Sequence, residues 1–88
     1  MGILMPKIIV YTTTLCPYCI AAKRMLKKKG AVFTEINASD ASTRQEMFEK
    51  SNGRRTVPQI FIGDRHIGGF DDLSELDALD ELEPLLAQ

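Results

Sequence analysis

Ile8-Ile9-Val10-Tyr11-Thr12-Thr13-Thr14-Leu15-Cys16-Pro17-Tyr18-Cys19 is the stretch on which the reading of this chain turns. Ile8 to Val10 is continuously apolar, as in a strand covered on both faces at the centre of a sheet, and the strand is expected over Lys7 to Thr12. After four residues a helical pattern opens and runs from Pro17 to Lys29, with Cys19, Ala22 and Leu26 on one stripe and lysines opposite. Gly30 is its stop signal. Cys16 and Cys19 are the only two cysteines among 88 residues, and two intervening residues on a first helical turn bring the sulfurs within bonding range. Beside a βαβ pattern, that spacing points to redox chemistry. The unpaired N–H groups and dipole of a helix N-terminus stabilise a negative sulfur, so Cys16 is the expected nucleophile and Cys19 the less accessible partner. Pro17 stands at the first helical position, where its missing N–H costs least.

Two blander uses of the pair compete with this one. A structural zinc site takes four ligands, and the chain adds a single histidine, His66, to its two cysteines, so two protomers would have to share a metal. A purely structural disulfide closing so short a loop would stabilise weakly.

Working outward, Val32 to Ile36 reads as a second strand. Ser42 with Gln45 suggests a capping box for a helix through about Lys50, ended by Asn52-Gly53. Gln59 to Ile62 and Arg65 to Ile67 read as short strands about a Gly63-Asp64 turn. Leu73, Leu76, Leu79 and Leu82 line a terminal helix before Pro84. The order βαβαββα predicts an α/β fold, a four-stranded mixed sheet flanked by helices, and its right-handed crossover and closing hairpin give the layout of a thioredoxin fold. The whole chain, 1–88, reads as one domain, with 1–6 as a flexible extension.

Composition narrows the function. Apolar residues make up 44% and charged residues 26%, ordinary for a soluble globular domain. No run is long enough to span a bilayer, and Met1 to Met5 lacks the features of a secretory signal, so a reducing cytoplasm is the expected location. Met1-Gly2 is not followed by the Ser or Thr that myristoylation requires at position 6, which is Pro6. The formal net charge of −1 conceals a bipolar chain: Lys23, Arg24, Lys27, Lys28 and Lys29 crowd one segment, and Asp71, Asp72, Glu75, Asp77, Asp80, Glu81 and Glu83 crowd the end. Without interleaved aromatics, the basic cluster reads as a solvated helix face complementing the dipole, and nucleic acid is not an expected partner.

Two further motifs carry chemistry. In Thr56-Val57-Pro58-Gln59, proline precedes a strand to whose ladder it cannot donate. It is either an ordinary strand-start residue or a cis peptide that exposes the Val57 backbone for pairing with an extended peptide. In Gly68-Gly69-Phe70-Asp71-Asp72 the glycines permit close ligand approach or an unusual backbone angle. Asp71 and Asp72 are either helix N-caps or, together with the helix-start N–H groups, a site for a zwitterionic amino-acid head group. His66 reads as a surface strand residue without a role.

Taken together, Tyr11 leading into Cys16-Pro17-Tyr18-Cys19, then Thr56 to Ile62, then Gly68 to Leu73, resemble the dithiol glutaredoxins of the small bacterial type, from about Lys7 to Leu86. The resemblance implies a cis Pro58 and reduction of protein disulfides and glutathione mixed disulfides with glutathione as electron-donating cosubstrate and no bound cofactor or metal. Cys16 and Cys19 would be catalytic. Tyr18, Arg54, Thr56, Val57, Pro58, Gly69, Phe70, Asp71 and Asp72 would bind glutathione: Thr56 to Pro58 flank its cysteine, Asp71 and Asp72 hold its γ-glutamyl end, and Arg54 lies near its glycyl carboxylate. Disulfide-containing or glutathionylated proteins are the implied partners of a monomer that needs no membrane. The runner-up readings are a dimer bridging an iron–sulfur cluster with glutathione, which Pro17 disfavours, and a thioredoxin-like donor fed by a flavoenzyme, which the Gly68 to Asp72 motif disfavours. Two departures stand out: Thr13 occupies a position that is lysine in many relatives, and Phe70 one that is cysteine in some.

Overall fold

A computed structural model describes residues 6–87. The expected extension lies, but for Pro6, outside the described residues. Four strands, β1 (Ile8–Thr12), β2 (Thr34–Asn37), β3 (Gln59–Ile62) and β4 (Arg65–Gly68), form one sheet in the order β2-β1-β3-β4. β1 pairs parallel with β2, and β1 and β4 both pair antiparallel with β3. Four helices, α1 (Pro17–Lys28), α2 (Ala41–Lys50), α3 (Phe70–Ala78) and α4 (Leu82–Leu86), complete the order. This is a thioredoxin fold, a four-stranded mixed sheet flanked by helices.

The sheet alternation sorts side chains into two layers, since successive strand residues face opposite ways. Ile8 and Val10 from β1 and Ile60 and Ile62 from β3 join Ala22 and Leu26 of α1, Leu73 of α3, and Leu82 and Leu86 of α4. Tyr11 meets Ala38 and Met47 on the other face, under α2, with Ile9 and Phe61 packed beside them. Truncating a fully buried residue such as Leu26 or Leu73 to alanine would remove about 2–5 kcal/mol of stability.

Several local boundaries differ from the sequence reading for identifiable reasons. β2 begins at Thr34 rather than Val32, whose side chain is 83% exposed. α2 is capped by Asp40, not Ser42: the Asp40 carboxylate accepts the Thr43 N–H at 2.9 Å, a bond that also holds its pKa below the usual aspartate value. The terminal leucine helix is two helices. α3 ends at Ala78, Asp80 has a positive φ of 59°, and Leu79 is turned outward. Pro84 lies inside the short α4, in its first turn, where its absent N–H has no intrahelical partner to lose. The charge segregation along the chain closes up in space. Lys29 at the end of α1 pairs with Asp77 at 2.6 Å and Glu83 at 3.3 Å, and the bond to Asp77 chiefly raises its pKa.

Tyr11 holds the second layer through its hydroxyl as well as its ring. The hydroxyl donates to Glu46 on α2, and burial, then this bond and the charge of Glu46, push the phenol from 10.0 to about 12. The folded state therefore keeps the Tyr11 proton to a higher pH than the unfolded chain. Its stabilising contribution is full below pH 10 and is lost as pH rises through about 12. Urea unfolding at stepped pH is expected to show this alkaline loss in the wild type and not in Tyr11→Phe, which at neutral pH should be less stable by about 1 kcal/mol.

Candidate active site

Four residues separate the end of β1 from the start of α1, and this places the Cys16 sulfur. Cys16 is its N-cap residue, with extended backbone, and Pro17 follows at the first helical position. The Sγ of Cys16 accepts the Cys19 N–H at 3.1 Å, so it is the sulfur atom that caps the helix. An ionised Cys16 would meet that same donor and the positive end of the helix dipole, an arrangement that favours thiolate over thiol. Cys16 and Cys19 are joined as a disulfide with Cα atoms 5.2 Å apart. Cys16 is half-buried, whereas Cys19 is 2% exposed and packs into the protein. Exposed apolar side chains flank the cysteine pair in sequence: Leu15 is 92% exposed, Tyr18 63% and Ile20 50%.

The Val57–Pro58 peptide is cis, and the Val57 carbonyl oxygen lies 3.9 Å from Cys16 Sγ. Across from it, Gly68 and Gly69 lead into α3. Gly68 has a φ of +116°, and a β-carbon there would collide with the Asp72 carboxylate, so this position requires glycine. Gly69, not an aspartate, is the N-cap of α3. Asp72, three residues on, reaches back to accept the Gly69 N–H at 2.9 Å. Asp72 therefore does serve the helix start, from the third helical position, while Asp71 is exposed and makes no ion pair among the described residues. Arg54 sits 3.7 Å from Asp72, both half-exposed, a pair worth at most about 1 kcal/mol.

The nine residues expected from the resemblance to bind glutathione (Tyr18, Arg54, Thr56, Val57, Pro58, Gly69, Phe70, Asp71 and Asp72) line one open cleft of about 480 Å³. The ring centroids of Tyr18 and Phe70 are 6.4 Å apart. Around the cleft stand the Arg54 guanidinium, the Asp71 and Asp72 carboxylates, the N-terminus of α3, and Thr56 and Val57, with Arg54 and Asp72 adjacent to each other. Such a surface complements an extended, zwitterionic peptide.

Two residues at this end were not legible in the sequence. Gln59 is fully buried, with its amide N–H₂ donating to the Thr56 carbonyl at 3.0 Å and the Thr56 hydroxyl at 3.3 Å. His66, expected on the surface without a role, is half-buried, stacked on Phe61 at 4.9 Å, and 2.7 Å from the Gln59 oxygen. Burial, with the charge of Arg54, holds its pKa below the ordinary histidine value against an opposing pull from Asp72. The hairpin register set at Ile62–Arg65 puts His66 opposite Phe61, and a shift beyond that pair puts Gly68, not Ile67, opposite Ile60.

A vicinal cysteine pair at the head of the helix that follows the central strand of a thioredoxin fold defines a thiol–disulfide oxidoreductase. The chain belongs to the glutaredoxin family, whose model, described as Glutaredoxin, matches residues 8–67. It is 48% identical over 82 residues to Glutaredoxin 3 of Escherichia coli, covering 93% of this chain and 99% of that protein. Among solved structures it resembles the glutaredoxin of Brucella melitensis with a TM-score of 0.85 and 49% identity, over 98% of this chain and 92% of the other. A buckwheat glutaredoxin–glutathione complex matches with a TM-score of 0.82 and 30% identity, over 92% of this chain and 76% of that one. The relatives place this protein with the small bacterial glutaredoxins.

The unequal burial of the two sulfurs makes a direct prediction. With the disulfide reduced, iodoacetamide at neutral pH is expected to alkylate Cys16 within minutes and Cys19 at least about tenfold more slowly. Peptide mass mapping of the partially labelled protein checks the order.

Proposed function

We propose that this chain reduces protein disulfides and glutathione mixed disulfides with electrons from glutathione, Cys16 being the nucleophile and Cys19 the resolving thiol. The observation that carries this reading is the cleft whose Val57 carbonyl lies beside Cys16 and which offers a guanidinium, carboxylates and a helix N-terminus to a zwitterionic tripeptide. The match to a glutaredoxin solved in complex with glutathione supports it. In this reading the Val57 backbone pairs with the cysteinyl residue of glutathione, Arg54 faces its glycyl carboxylate, and the γ-glutamyl group rests at the start of α3. Asp72 is already engaged by Gly69 and Arg54. Asp71, exposed and unpaired among the described residues, is therefore the freer carboxylate for the ammonium. The exposed apolar rim of Leu15, Tyr18 and Ile20 gives a protein substrate a surface to rest on while its disulfide meets Cys16.

The reaction begins when the Cys16 thiolate attacks a disulfide sulfur and displaces the other sulfur as a thiolate, leaving a mixed disulfide on Cys16. If the adduct is with a protein, Cys19 attacks Cys16, releases the reduced protein and forms the intramolecular disulfide. If the adduct is with glutathione, a second glutathione attacks it, yielding glutathione disulfide and free Cys16. Glutaredoxin potentials of about −200 to −230 mV allow a cellular glutathione pool to reduce the Cys16–Cys19 bond.

Serine substitutions separate the two routes. Cys16→Ser is expected to abolish all reductase activity, while Cys19→Ser keeps turnover of a glutathionylated substrate and loses protein-disulfide reduction that needs both thiols. Activity surviving in Cys16→Ser would overturn the mechanism. An asparagine substitution probes the cleft: Asp71→Asn should raise the KM for glutathione about three- to tenfold, while the loss of one first-turn charge costs the fold at most about 1 kcal/mol and leaves the Asp72 cap in place. Steady-state kinetics coupled to glutathione reductase and NADPH measure this, and reduction by thioredoxin reductase in preference to glutathione would overturn the assignment of the cleft.

A further inference from the structure

The buried carboxamide of Gln59 connects the edge strand β4 to the wall of the cleft, and its hydrogen bonds have a direction. Its Nε2 donates to the Thr56 carbonyl and the Thr56 hydroxyl, at 3.0 and 3.3 Å. Two acceptors on that side orient the amide, so its Oε1 points at His66, 2.7 Å from Nε2 of the ring. An amide oxygen only accepts, which makes His66 the donor and puts the proton of its neutral ring on Nε2. The Thr56 hydroxyl, accepting from Gln59, retains its own proton to donate outward into the cleft that Thr56 lines.

From this geometry we propose that His66 is a positioning residue for the Thr56–Pro58 wall of the cleft, acting through Gln59. Gln59 is 0% exposed, so water cannot replace a lost partner at its oxygen. With the His66 donor gone, the oxygen would be left unpaired, and the amide would turn to recover a partner at the expense of its bonds to Thr56. Thr56 would then lose the constraint that fixes its carbonyl and its hydroxyl, one residue from the Val57 carbonyl beside Cys16. Pairing opposite Phe61 and the ring contact with it hold the imidazole beside Gln59. The inference deepens the glutathione reading of the cleft and rests on it.

A crossed pair of substitutions in the full chain tests it. His66→Phe keeps an aromatic ring on Phe61 but has no donor, and His66→Gln keeps an N–H donor but not the ring. Positioning through Gln59 predicts that His66→Phe raises the glutathione KM about fivefold while His66→Gln stays within about twofold of wild type. Reduction of the Cys16–Cys19 bond by dithiothreitol, which needs no glutathione site, should be unchanged in both. The Gln59 side-chain amide resonances should shift in His66→Phe and remain near their wild-type values in His66→Gln. A packing role alone predicts the reverse order of KM, and that order, or equal KM values with unmoved Gln59 resonances, overturns the proposal. Asp71→Asn run alongside distinguishes the failures. If it raises KM and His66→Phe does not, only the positioning role of His66 falls; if neither affects KM, the glutathione reading falls with it.

Discussion

The catalytic end depends on β1 being held from both sides. Ile8 and Val10 are fixed in the layer under α1, α3 and α4, and Tyr11 is fixed in the layer under α2, so this strand has no freedom to tilt or slide. Its register with β2 on one side and β3 on the other then determines where the chain leaves the sheet and where α1 begins. From that point of departure the sulfur of Cys16 reaches the Cys19 N–H and caps the helix. A nucleophile whose ionisation is tuned by backbone N–H groups needs those groups to stay where they are, and a doubly covered central strand supplies the rigidity.

Around that anchored sulfur the molecule assembles groups from three separate stretches of chain. α1 brings Cys16 and Tyr18, the segment before β3 brings Arg54, Thr56, Val57 and Pro58, and the head of α3 brings Gly69, Phe70, Asp71 and Asp72. Some of them serve two purposes. Asp72 caps the start of α3, pairs with Arg54, and occupies the space that forces glycine at Gly68. Among the described residues the charge-rich segments meet at one point only: Lys29 ties the end of α1 to Asp77 and Glu83, while Lys23 of the same basic block pairs with Glu35.

Legibility followed the range of the physical signal. β1, α1 and the hairpin were readable because each is announced by neighbours in sequence: an apolar run, a stripe at helical spacing, a Gly-Asp turn. The cysteine pair was readable for the same reason, since its chemistry depends on a three-residue spacing and a helix start. Boundaries failed where a cap or break depends on competition between adjacent candidates. Asp40 outcompeted Ser42 for the head of α2, and the leucine pattern ran straight through the break at Leu79 to Glu81. Gln59 and His66 were invisible as a pair because their contact is a diagonal one between side chains across the β3–β4 hairpin, His66 pairing with Phe61 two residues from Gln59, and nothing in composition or period marks it.

By itself, then, the sequence determined the class of chemistry and the order of elements, because both rest on local spacing: Cys16 and Cys19 on one helical turn, and hydrophobic periods of two and of 3.6. Only the tertiary structure decided that Arg54, Thr56 and Asp71 border one cleft and that His66 touches Gln59. Each of those facts joins residues that meet only once strands have paired and helices have packed against the sheet, and no local preference encodes a meeting of that kind.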